Sequence, residues 1–213
     1  MPIDQTEEKR IRHLLREHGC PIGYHKIRTR MLGAMARHDL TINPAAVIAS
    51  LWGHESHKFE SLDHSHELYI ALEQGLWHEL LKHKDPDAPF QAMQMPLDPS
   101  VAHLEVFGIV RIQEIEGFVE GLFNHEEEAR LPIRASDAVV HLGDIRATMF
   151  GLSKLIKRAS ESPENMEQVI RLIRHLQVLT DMMEAEIHHV FLTCLQAGQQ
   201  SFATTVAPWQ TRH

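Results

Sequence analysis

The chain has 213 residues, 43% hydrophobic and 23% charged, an ordinary globular composition with enough length for a substantial core. Its formal charge of −8 argues against nucleic acid as a partner, since neutralising phosphates takes a basic surface. No apolar run approaches the roughly 20 residues that cross a bilayer, which argues against membrane insertion.

Nearly every start and stop signal is helical. Asp4 or Thr6 can cap a first helix in which Ile11, Leu14 and Leu15 recur at helical spacing, and Gly19 followed by Pro21 ends it. A second helix is predicted from about Gly23 to His38, with Ile27, Met31 and Met35 on one face. Asn43-Pro44 reads as the N-cap and first residue of a third helix through Val47, Ile48 and Leu51. A break near Ser61-Leu62-Asp63 precedes a fourth, from about 63 to 84. Residues 85–99, DPDAPFQAMQMPLDP, carry four prolines without sustained periodicity, so 85–97 reads as a linker. Asp98-Pro99 opens a long helix to about Arg130. Pro132 and Ser136 separate it from a helix at about 137–159. Ser162-Pro163-Glu164 caps a last helix to about Ala197, Gly198 ends it, and 198–213 reads as a loosely held tail.

With no lasting strand alternation, six to seven helices imply an all-α, mostly antiparallel bundle. Residues 1–197 are expected to form one domain, although the linker also permits subdomains 1–84 and 98–197. Two cysteines, Cys20 and Cys194, are too few for a disulfide framework and fit a reducing cytoplasm. The acidic, polar opening MPIDQTEEKR does not read as a secretory signal.

Histidine is the outlier. The seventeen histidines could move the formal charge by seventeen units on acidification. Six of them, with seven carboxylates, crowd into residues 54–85. Helical phase, at 100° per residue, sorts these polar residues by direction. Tyr69, Leu72, Leu76 and Leu80 define an apolar stripe that also takes in Glu79 and His83. Ile70, Trp77 and Leu81 make a second stripe, so this helix is expected to be covered on two sides. On the next long helix Glu126 continues the core line of Leu104, Ile115 and Leu122. Glu116 and Glu120 form a like-charge pair on its flank that needs a cation nearby. On the helix of 137–159, His141 borders the core line, with Asp137 one turn before it.

Glu79, His83, Glu126 and His141 are therefore the candidate metal ligands. Such an oxygen- and nitrogen-rich set would suit iron or zinc, with Asp137 orienting His141. The plain alternative for His83 is an imidazolium at a helix C-terminus. Glu186-x-x-His189 has the spacing of ferritin-like di-iron ligands, but the chain holds no second ExxH. LFNHEEEARLP superficially resembles histidine-rich oxygen-binding bundles of the hemerythrin type. The HxxxE and HxxxH partners are not present in order, and no assignment follows from the likeness.

Catalytic signatures are missing: no glycine-rich phosphate loop, GxSxG, HExxH or CxxC is found. Cys194 falls on an apolar face and reads as buried and inert. Gly117, Gly121 and Gly151 read as sites of close helix packing. The function expected is that of a regulatory or scaffold protein acting by protein–protein contact. A partner or second copy would cover the stripe of Ile70, Trp77 and Leu81. The alternative is a metal-binding bundle engaged in redox chemistry or in metal or oxygen sensing.

Overall fold

The computed structural model describes residues 5–37, 43–53, 62–95, 100–124, 131–159 and 166–206, and every regular element among them is helical. Helix α1 spans Gln5–Glu17 and α2 spans Tyr24–Ala36. Between them Gly19 takes φ +57°. The Cys20 amide then donates to Leu15 O (2.8 Å) and the Gly19 amide to Arg16 O (3.1 Å), the paired bonds of a Schellman stop. Helix α3, Pro44–Ala49, opens as expected, with the Asn43 side chain accepting from the Ala45 amide at 2.9 Å, and runs into a 3₁₀ turn, Ser50–Trp52.

Helix α4 is irregular. It begins as Leu62–Ile70, widens to a π-helical stretch over Ala71–Trp77, makes one α-turn at His78–Leu80 and closes in a 3₁₀ turn, Leu81–Lys84. A π stretch holds more residues per turn and shifts the phase of everything after it. Leu68, Ala71, Leu72, Leu76, Trp77 and Leu80 are all buried as a result. The exposed stripe expected on this helix is thus largely absent, because Trp77 packs into its own chain and Ile70 and Leu81 are half-buried.

Helix α5, Val101–Phe123, is capped by Ser100 and stopped by Asn124, which adopts the left-handed conformation (φ 43°). That stop falls short of the predicted end near Arg130, and Glu126 lies outside the described residues. Helix α6, Ile133–Ala159, starts several residues earlier than expected, as the Ser136 amide donates to Pro132 O at 2.9 Å. Helix α7, Met166–Val206, runs straight through Gly198. A mid-helix glycine costs about 1 kcal/mol, which a helix this long and well packed absorbs.

The tightest packing joins α2 to α5. A Cβ built on Gly33 would collide with Phe118 O, and one on Gly121 with Arg30 O. Only glycine lets these two backbones approach so closely. Helices α5, α6 and α7 pack on one another, and α7 also reaches α2 and the end of α4. One cluster of buried side chains draws on all seven helices, with Phe90 and Ala92 added from the segment between α4 and α5. Each large apolar side chain it buries contributes roughly 1.5–3 kcal/mol. No helix among the described residues is long and apolar enough to cross a membrane.

Candidate functional site

Residues 85–95, expected to be a linker, instead form a strap pressed onto the bundle. Phe90 and Ala92 are buried, and a buried backbone must find hydrogen-bond partners. Charged side chains from distant helices supply them. Glu114 accepts from the Met93 amide at 2.9 Å, Arg111 donates to Met93 O at 2.7 Å, and Glu184 accepts from the Ala92 amide at 2.8 Å. Arg111 and Glu114 also pair directly, with side chains 4% and 0% exposed, and the guanidinium lies 4.6 Å from the Phe107 ring centroid. Burial raises the Glu184 carboxyl above its ordinary pKa, opposed by its bond to Ala92 and by Arg111. Nothing in the sequence analysis points to this network, whose members are far apart along the chain. Its one local signal is an Arg-x-x-Glu pair set among Phe107, Ile115 and Phe118.

Beneath the strap lies a cleft of about 670 Å³. Helix α1 contributes Glu8 and Lys9, α2 contributes Tyr24 and Arg28, and the end of α4 contributes Glu79, Lys82 and His83. Two of the predicted ligands thus meet at one place, because they sit one turn apart on α4. His83 is 2% exposed, its Nδ1 lies 2.8 Å from Ala88 O, and its ring meets Phe90 edge-on. A carbonyl only accepts, so Nδ1 carries the proton and Nε2 presents a lone pair. Burial lowers the His83 pKa, with the Arg28 and Lys82 charges adding to the effect. The imidazole is therefore held neutral, rather than as the cation that a helix C-terminus would favour. Glu79 pairs with Lys82, and burial pushes the Tyr24 phenol up to about 12. Two buried atoms, Glu79 Oε2 and His83 Nε2, have no hydrogen-bond partner. Arg28, half-buried, donates to Gln91 O (2.7 Å) with its guanidinium 5.0 Å from the Phe90 ring centroid.

Of the rest of the predicted metal set, Glu126 lies outside the described residues and His141 is not brought here. His141 is on α6 with a side chain 62% exposed, and its Nδ1 lies 3.3 Å from Glu186 Oε1 on α7 rather than against Asp137. Helix α6 packs on α5 and α7, and His141, expected to lean toward the core, instead stands exposed beside α7. No group of three His, Cys, Asp or Glu side chains able to hold a metal ion occurs among the described residues. The Glu116–Glu120 pair finds its cations separately: Arg146 lies 3.0 Å from Glu116 and Lys26 2.6 Å from Glu120. Cys194 is buried, and burial pushes its thiol up to about 11.

A second feature lies on the outside. Every large exposed hydrophobic side chain among the described residues belongs to α5, α6 or α7. On α6 they concentrate opposite the core line of Leu142, Ile145, Met149 and Ile156. Val140 is 61% and Phe150 56% exposed, Ile133 and Leu155 are exposed on the same side, and Gly143, Ala147 and Gly151 lie between them at four-residue intervals. Gly151, expected to let a neighbouring helix approach, has no atom of the described residues within 4 Å of where a Cβ would sit, and neither has Gly143. Compared with protein-family models, with curated proteins and with solved structures, the chain matches none.

Proposed function

We propose that the protein is a helical scaffold or regulatory protein that works by protein–protein contact, and that its first partner is a second copy of itself held through the outer face of α6. The observation that carries this reading is the contrast between its glycines. Gly33, Gly117 and Gly121 are each matched by a backbone or side chain that needs the missing Cβ. Gly143 and Gly151 cost helix stability, about 1 kcal/mol each relative to alanine, and none of the described residues packs where their Cβ would sit. Ridges of small residues let helix backbones meet closely, and Val140, Phe150 and Leu155 beside the ridge supply apolar area for such a meeting.

Charge selects the orientation. The strip carries Asp137 and Asp144 in its first half and Lys154 in its second. An antiparallel pairing centred on Ala147 sets position 154 of one copy against position 140 of the other. At 1.5 Å rise per residue, Lys154 then lies about 4.5 Å along the axis from Asp137 and about 6 Å from Asp144 of the other copy. A parallel pairing would oppose like charges instead. The two cysteines are free, Cys20 half-buried and Cys194 buried, which fits a reducing cytoplasm, and the net charge of −8 disfavours nucleic acid.

Sedimentation equilibrium tests the reading. The expected result is a reversible dimer that Ala147→Glu converts to a folded monomer, since Ala147 is exposed and its replacement leaves the core untouched. A wild-type chain that stays monomeric at every concentration reached would refute it.

A further inference from the structure

The cleft beneath the strap has a chemistry of its own, independent of the α6 face. We infer that it binds a small polyhydroxylated anion, such as a phosphorylated polyol or a polyhydroxy acid, whose hydroxyl groups donate to Glu79 Oε2 and His83 Nε2 while its anionic group faces Lys9 and Arg28. Four observations lead there. The two inner atoms are both buried acceptors without partners, on side chains at least nine-tenths buried. An unmade hydrogen bond of that kind is unfavourable, so an occupant must donate. The cleft wall carries three basic side chains, Lys9, Arg28 and Lys82, against two acidic ones, and Glu8 is already engaged by Arg12 at 2.7 Å. This balance favours an anion over a second cation beside Lys82. A volume of about 670 Å³ falls in the range of small-molecule sites.

A metal ion fits less well, because only Glu79 and His83 would hold it and Lys82 already occupies the carboxylate. The geometry also separates roles within one ligand: donors inside, negative charge at the mouth. That division is what the experiment must detect.

The intact chain would be titrated with glucose 6-phosphate and with gluconate, and separately with glucose, inorganic phosphate and Zn²⁺. Calorimetry gives affinity, and imidazole ¹⁵N spectra report on His83 Nε2 directly, without any variant. The expected result is saturable binding of glucose 6-phosphate or gluconate that moves the Nε2 resonance, with glucose and phosphate alone each about tenfold weaker or worse, the loss of one well-made hydrogen bond or charge contact. Because Glu79→Ala also frees Lys82, it should tighten inorganic phosphate while narrowing about tenfold the margin by which the hydroxylated anion exceeds it. Three outcomes would overturn the proposal: neither hydroxylated anion binds; phosphate alone binds as tightly as its sugar ester, marking an adventitious ion only; or Zn²⁺ moves the Nε2 resonance in place of both anions. Each can occur with the α6 pairing intact, so the two proposals fail separately.

Discussion

Removing Glu114 should be the most damaging single change to a polar side chain in this protein. In Glu114→Ala the Met93 amide loses its acceptor, and Arg111 stays behind as a buried cation, still bound to Met93 O. Stripping one member from a buried pair costs about 3–5 kcal/mol. Glu184 lies close enough for its charge to interact with Arg111, and so offers partial compensation. The expected loss is therefore at the lower end, about 3 kcal/mol. Glu114→Gln keeps an acceptor for Met93 and should lose less. The internal control is Glu116→Ala, which breaks a 3.0 Å pair with Arg146 whose side chains are 32% and 52% exposed. Solvent screens that pair, and its loss should cost under about 1 kcal/mol. Urea unfolding followed by Trp52 and Trp77 fluorescence measures all three, and amide exchange at Met93 shows whether the strap lifts first. If Glu114→Ala costs no more than Glu116→Ala, the strap is not held by this network and the reasoning fails.

Other expectations follow from single sites. Gly121→Ala should destabilise by about 1–3 kcal/mol, because its Cβ meets the Arg30 backbone, whereas Gly143→Ala should stabilise the monomer by up to about 1 kcal/mol, both read by urea unfolding at low protein concentration. Burial lowers the pKa of both His83 and His188, so the unfolded chain binds more protons than the folded one below the ordinary histidine value of 6.5. Their contribution is fully present above pH 6.5 and is lost as pH falls from there through the folded values. Unfolding free energies that stayed flat or rose from pH 7 to pH 6 would contradict that sign. Cys194, with its thiol pushed up to about 11, should react with a thiol reagent only as fast as the chain opens, a rate that hydrogen exchange measures independently.

The fold was legible because its punctuation is local. Gly19 stops α1 and Asn43-Pro44 starts α3 through bonds made within a few residues, and the helical spacing of Ile27, Met31 and Met35 reports burial directly. What failed was information about neighbours. The prolines of the strap signalled a linker, yet the residues that fix Met93 and Ala92 come from α5 and α7, up to 92 positions away. His141 was read through Asp137 on its own helix, whereas its partner Glu186 is 45 residues on. Glu79 and His83 were placed together correctly because helical geometry alone links them. Trp77 was expected at an exposed stripe, but the π stretch of α4 ends at that residue, and nothing in ALEQGLW announces the extra residue per turn. The outer face of α6 was half visible: Gly151 was flagged for close packing, but only the folded chain leaves its side open.

Self-association through α6 can be tested by cross-linking in a cysteine-substituted chain. Ala147 lies at the proposed two-fold axis, so Ala147→Cys should form a disulfide-linked dimer under mild oxidation, while Val140→Cys, set against position 154 of the other copy, should not. The native Cys194 is buried and Cys20 half-buried, and the unsubstituted chain supplies the background. Rapid linkage at 147 with none at 140 is the result expected of the antiparallel pair. Linkage at 140 but not at 147, or at neither, would contradict it.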